Sequence, residues 1–219
     1  MSSTMSPVQL EAALKQQAPG SLYLIVGEED LLRDSALAAI KRAALGSEGD
    51  EFNCELFYGD DASGTDIRNS AAVVPVFAER RVVVVKAAEK LTARESEPLL
   101  DSVNHPVDST TLVFVSPKLD GRLKFSQALA RAACMVDCSP LRETQLPSWI
   151  AREAERVGLR LEEAAAYVLQ EACGASLYGL RRELEKLASY VPADRAVTAA
   201  DVHLLRGMEP GASVFDLTL

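Results

Sequence analysis

Four consecutive valines, Val82 to Val85, follow Arg81 and constrain the fold of this chain more than any other segment. A β-branched run of that length has the propensity and the size of a strand, and it shows no alternation of apolar with polar residues. Both of its faces must therefore be covered, which is the condition of strands in a parallel sheet flanked by helices. Leu22-Tyr23-Leu24-Ile25-Val26 and Thr111-Leu112-Val113-Phe114-Val115 read the same way, and Met135-Val136-Asp137-Cys138 adds a shorter strand. Between them, Phe52, Cys54, Leu56 and Tyr58 alternate with Asn53, Glu55 and Phe57 in one more.

Helical patterns separate these strands. Ser6-Pro7-Val8-Gln9 fits a capping box ahead of a helix from Pro7 to about Gln17, stopped by Pro19-Gly20. Asp30 is placed to cap a helix from Leu31 to Leu45, with Leu32, Ala36, Ala39, Ile40 and Ala43 as its apolar face. Further helices are predicted from near Asp66 to before Pro75, around Ser96 to Val103, and near Arg122 to Ala133. Strands alternating with helices through residue 138 predict an α/β domain over 1–140, built on a doubly wound parallel sheet. Beyond Leu141 the periodicity turns helical throughout. Trp149, Ile150, Ala154 and Val157 form one stripe, Leu161, Ala165, Val168 and Leu169 a second, and Leu177, Leu180, Leu184 and Leu187 a third, with a last helix after Thr198. A small all-helical lid domain over 141–210 is predicted, joined near Ser139-Pro140.

Composition excludes several classes. No apolar run approaches the ~18–20 residues of a membrane span, and Met1 to Ser6 has no basic stretch leading into an apolar one, so a cytoplasmic protein without membrane partners is expected. Lys and Arg number 23 against 32 Asp and Glu, a net charge of −9. That balance opposes a free-standing nucleic-acid binder, which needs clustered cations to displace counterions from phosphates. Cys54, Cys134, Cys138 and Cys173 read as free, mostly buried thiols in a reducing compartment. Zinc would need a second close pair or nearby histidines, and the two histidines, His105 and His203, read as a surface-loop and a helix-surface residue.

A buried strand, one glycine and then a helix form the setting of a phosphate-binding loop. Such a loop needs a second glycine for the backbone cradle, a lysine for the phosphates and a hydroxyl for Mg²⁺. Gly27 holds the first place, but Leu32 stands for the second glycine, Arg33 for the lysine and Asp34 for the hydroxyl residue. Glu28, Glu29 and Asp30 place negative charge where phosphates would sit. After Val82 to Val85, where a metal-binding carboxylate is needed, the chain has Lys86 and Ala87. No nucleotide cofactor and no metal are expected, and no catalytic residue is assigned.

Two further features invite a functional reading. Arg181, Arg182 and Lys186, and Arg152, Arg156 and Arg160, recur at helical spacing; they read as solvated faces paired with Glu153, Glu155, Glu183 and Glu185, the competing reading being contacts with DNA phosphates inside an assembly. In Ala71-Ala72-Val73-Val74-Pro75-Val76-Phe77-Ala78, a helix end runs over a proline, so Val76 and Phe77 cannot both point inward. Periodicity leaves two alternatives open, an exposed anchor for a partner or a plug at the sheet edge.

Taken in order, Leu22-Tyr23-Leu24-Ile25-Val26-Gly27 with its degenerate loop, Pro75-Val76-Phe77-Ala78-Glu79-Arg80-Arg81, and Leu112-Val113-Phe114-Val115 before Lys118-Leu119-Asp120-Gly121-Arg122 resemble the delta subunit of bacterial DNA polymerase III. So do Leu146-Pro147-Ser148-Trp149-Ile150, Leu180-Arg181-Arg182-Glu183-Leu184-Glu185-Lys186-Leu187 and Val214-Phe215-Asp216-Leu217. The resemblance implies an AAA+-like clamp-loader subunit that binds and opens the ring-shaped sliding clamp for loading onto primed DNA without hydrolysing ATP. It implies clamp binding through Val74, Val76 and Phe77, with Val76 standing where a larger leucine is common. The four-cysteine zinc module and Ser-Arg-Cys finger of the related loader subunits do not occur. The resemblance further implies a helical collar domain for contact with the other loader subunits, of which 211–219 is only the start, so a truncated chain or incomplete product is expected. The competing functions are an atypical nucleotide hydrolase and a DNA-binding module.

Overall fold

The computed structural model of the protein describes residues 4–46 and 51–207. The expected collar start at 211–219 lies outside the described residues. The chain divides into two compact units, Met1–Pro140 and Leu141–Leu219.

In the first unit the elements run β1 (Thr4–Met5), α1 (Pro7–Leu14), β2 (Leu22–Val26), α2 (Asp30–Leu45), β3 (Cys54–Tyr58), α3 (Gly64–Ala72), β4 (Arg81–Lys86), α4 (Ala93–Ser96), α5 (Leu99–Asn104), β5 (Thr110–Ser116), α6 (Lys124–Ala132) and β6 (Cys134–Asp137). The strands form one sheet in the order β1-β6-β2-β5-β4-β3, and every pairing is parallel. Val82 to Val85 occupy β4, between β5 and β3, with Val83 opposite Leu112 and Val85 opposite Phe114. All four valines are buried, as are Leu22 to Ile25 and the whole of β5. On one face Ile67, Leu99, Val103, Phe125 and Leu129 close over Val83, Val85, Leu112 and Phe114. The Phe114 and Phe125 rings meet edge to face with centroids 5.3 Å apart.

Several local expectations are corrected. The N-terminus contributes a short edge strand, Thr4 and Met5 pairing with Met135 and Val136, which no pattern in the sequence indicates. In β3 and the turn that leads into it the burial reverses the naive reading of the alternation: Phe57 packs on the core and Asn53 is fully buried, whereas Phe52, Leu56 and Tyr58 are exposed. β3 is the last strand of the sheet, so one of its faces has no obligation to be covered. Asp30 does not cap α2; it lies in the first turn, and its carboxylate pairs with Arg33. The buried stripe of α2 takes in Leu31 and Leu37, leaving Ala43 exposed. The helix predicted around Ser96 to Val103 is broken by Pro98 into α4 and α5. α6 starts at Lys124 because Arg122 is tied back to Asp120 in the preceding turn.

The second unit holds α7 (Leu146–Arg156), α8 (Glu163–Cys173), α9 (Leu177–Tyr190) and α10 (Ala199–Gly207). Its core is made by Trp149, Ile150, Leu169, Leu180, Leu184 and Val202. Its described residues carry no strand, only one isolated parallel bridge between Leu161 and Val197.

Candidate functional site

The α3–β4 connection is the most exposed apolar segment of the described residues. α3 ends at Ala72, and Val73 is already extended (φ −71°, ψ 133°). From there Val74 is 74% exposed, Val76 50% and Phe77 106%. The plug alternative for Phe77 is thereby excluded: its ring touches no core. Phe77 also has φ +56°, a left-handed backbone that costs a non-glycine residue ~1–2 kcal/mol. The chain accepts that conformation and with it turns the ring outward at the apex of the tip.

What holds the tip is a pair of polar residues at its base, missed by the sequence reading. The Asn53 side chain spans the tip backbone in both directions, its Nδ2 donating to the Val76 carbonyl at 2.7 Å and its Oδ1 accepting from the Val76 amide at 2.8 Å. Arg81, 8% exposed at the start of β4, donates from Nε to the Ser70 carbonyl at 3.1 Å and from Nη1 to the Phe52 carbonyl at 3.2 Å, and pairs through Nη2 with Glu55.

The degenerate phosphate loop lies at the carboxyl end of β2. Two of its amides are turned to main-chain partners: the Gly27 amide bonds the Ser116 carbonyl at 3.3 Å and the Glu29 amide the Cys138 carbonyl at 3.0 Å. Arg33 folds back so that its guanidinium donates to the Gly27 carbonyl and pairs with Asp30. Asp34, in the place of the Mg²⁺-binding hydroxyl, faces Lys86, in the place of the metal-binding carboxylate, at 3.6 Å. A cation is thus supplied by the chain where a nucleotide enzyme needs an anion and a metal. Leu32 is buried in the core rather than opening the loop. The residues present do not fit a nucleotide with Mg²⁺.

The remaining candidates separate cleanly. Arg156 and Arg181, from different helices, converge on the buried Glu153 at 2.7 and 2.5 Å, and Lys186 pairs with Glu183 at 2.9 Å. Arg152 and Arg182 are exposed, and Arg160 donates to the Asp194 carbonyl at 2.8 Å. Burial pushes the Glu153 carboxyl up, but the Arg156 and Arg181 hydrogen bonds outweigh it and hold the group below its ordinary 4.5. The unfolded chain therefore takes up the proton first, so this contribution to stability is complete above about pH 4.5 and disappears as the pH falls through the depressed folded value. Glu153→Gln is expected to cost ~1–3 kcal/mol at neutral pH, seen as a lower melting temperature, and to flatten the loss of stability below that pH. His105 is exposed beside Asp101, and His203 is exposed on α10. None of the four cysteines is in a disulfide; Cys138 is buried and its thiol pushed up by that burial to about 12, while the other three are only partly buried. No group of metal-binding side chains occurs among the described residues, and no described helix is long and apolar enough to cross a membrane.

Comparison with known proteins places this arrangement. Residues 23–139 match the family model of the DNA polymerase III delta subunit. The chain is 23% identical over 215 residues to DNA polymerase III subunit delta of Bacillus subtilis, covering 94% of this chain and 62% of the relative. It is 26% identical over 190 residues to the Escherichia coli subunit, covering 85% and 55%. The chain therefore spans somewhat over half the length of these relatives. Among solved structures, the Bacillus subtilis DNA clamp loader delta protein superposes with a TM-score of 0.73 at 22% identity, covering 91% of this chain and 62% of that one. The Thermotoga maritima RuvB Holliday junction branch migration motor gives 0.54 at 17% identity, over 91% and 65%. These likenesses make the fold AAA+-like, as expected from the sequence. With the family model matching more than half of its residues, across the sheet, the tip and the altered phosphate loop, the chain belongs to the DNA polymerase III delta subunit family.

Proposed function

We propose that this chain is the clamp-binding part of a clamp-loader delta subunit: Val74, Val76 and Phe77 enter an apolar pocket on the sliding clamp, and the ring is opened for loading onto primed DNA during replication. The observation that carries the reading is Phe77, fully exposed on a left-handed backbone at the end of a braced tip. Large apolar side chains held outside a core are the usual form of a binding anchor. Within a polymerase holoenzyme, a nucleotidyltransferase assembly, the subunit contributes binding and no catalysis of its own. Its domains are an α/β body over 1–140 and a helical lid over 141–210, and its further partners are the other loader subunits, through a collar, with primed DNA only in the assembly. Such a protein works in the cytoplasm.

The test is affinity for a purified bacterial sliding clamp by calorimetry or surface capture, with the chain shown to be folded. Saturable one-site binding supports the reading, and no binding at tens of micromolar overturns it. Arg33→Ala and Asp34→Ala are expected to change clamp affinity less than tenfold, which is ~1.4 kcal/mol, because the loop they occupy is remote from the tip in sequence and already filled by its own contacts. A larger loss with the fold intact counts against the assignment. The atypical hydrolase reading is tested by titration with labelled ATP and Mg²⁺, where saturable micromolar binding would favour it. The net charge of −9 disfavours a DNA-binding module; tight gel-shift binding with a steep salt slope would favour one.

A further inference from the structure

We propose that Asn53 is a positioning residue for the tip, setting the direction in which Phe77 is presented to its partner; the inference rests on the clamp-binding reading above. The tip between α3 and β4 is a connection whose ends are fixed by Arg81, through the Ser70 carbonyl at 3.1 Å and through its own place in the sheet. Between these ends, the Asn53 side chain grips the tip backbone, and it does so on both the amide and the carbonyl of Val76. Val76 is the residue immediately before Phe77, so fixing its peptide groups fixes the plane from which the left-handed turn at Phe77 departs. Asn53 is itself fully buried, and Arg81 holds the neighbouring Phe52 carbonyl, so the clamp on Val76 is anchored to the body of the sheet. The carboxamide carries its donor and its acceptor on separate atoms, so one side chain meets both the N–H and the C=O of Val76.

The gain is preorganisation. If the left-handed tip were only fractionally populated, the apparent dissociation constant would rise by the reciprocal of that fraction. Asn53→Ala is expected to weaken clamp binding about tenfold, as for a competent fraction of roughly one tenth. The measurement that separates positioning from general stability is a double-mutant cycle with Phe77→Ala. In the Phe77→Ala background, Asn53→Ala should add less than about twofold, since there is no ring left to aim. Full additivity, or unchanged affinity of folded Asn53→Ala, overturns the proposal alone. If Phe77→Ala itself leaves affinity unchanged, the clamp-binding reading falls, and this inference with it. Hydrogen exchange at the Val76 amide of the unaltered chain needs no variant to fold. Protection at Val76 well above that at Val74 is expected, and an unprotected Val76 amide overturns the proposal. Asn53→Ala, which removes the acceptor of that amide, is expected to abolish the protection, and Asn53→Asp, which keeps the acceptor but sets a carboxylate against the Val76 carbonyl, is expected to weaken binding at least as much as alanine.

Discussion

Phe77→Ala is expected to lower affinity for the sliding clamp roughly 30- to 1000-fold, equivalent to ~2–4 kcal/mol, while leaving the melting temperature of the chain nearly unchanged. Both halves follow from the geometry. A ring 106% exposed in the free protein has no core contacts to forfeit, so truncation opens no cavity. An alanine at φ +56° bears the same backbone strain as phenylalanine, so the tip keeps its shape. All of the loss then falls on the complex, where the ring would exchange water for an apolar pocket at about 25 cal/mol per Å². Val76→Ala should move in the same direction by less, because valine offers less area and is already half covered at 50%. Paired melting and affinity measurements decide it. A large fall in melting temperature with unchanged affinity of the folded fraction would sink the anchor assignment.

How much of this could be read from the sequence depends on the range of the interaction concerned. The central strands were legible because Val82 to Val85 and Leu22 to Val26 carry their burial in their own composition. The helical stripes of residues 141–210 were legible for the same reason, periodicity being a local property. The tip was half legible. An apolar run crossing Pro75 showed that Val76 and Phe77 could not both be inside, but a positive φ at a phenylalanine has no signature in residue type, so the sequence did not say which ring or methyl group lies outside. Asn53 was not legible at all, because what it binds is a backbone 23 residues away, and any residue type can supply a peptide group. The same limit hid the inversion of β3: its outward Leu56 and Tyr58, with Phe52 just before it, look like a core face until the strand is known to be the last in the sheet. The altered phosphate loop was legible as a loss of ligands, whereas the ion pair of Asp34 with Lys86 depends on the packing of α2 against the end of β4.

Gly27→Ala is expected to destabilise the first unit by about 2–6 kcal/mol, measured by urea unfolding, with no effect traceable to nucleotide. The residue has φ +142°, a conformation whose adoption by an L side chain costs ~1–3 kcal/mol. A Cβ there would overlap the Cys138 carbonyl and the Ser139 nitrogen, both main-chain groups that cannot rotate aside. Relief requires the β2 end to move from the segment that follows β6, at an overpacking cost of ~1–3 kcal/mol. That junction is built of main-chain bonds: the Cys138 amide to the Val26 carbonyl at 2.7 Å and the Glu29 amide to the Cys138 carbonyl at 3.0 Å. Here lies a reason for a glycine to stand in a loop whose other phosphate-binding positions carry Leu32, Arg33 and Asp34. A glycine serving phosphate would be dispensable once the lysine and the hydroxyl are gone; a glycine serving close passage of two chains is not. The two roles separate in the measurement, since a phosphate role predicts a folded Gly27→Ala protein that differs from the parent only when ATP and Mg²⁺ are added. Normal stability of Gly27→Ala would remove the packing explanation, and an ATP-dependent rise in the parent's melting temperature would reopen the nucleotide site.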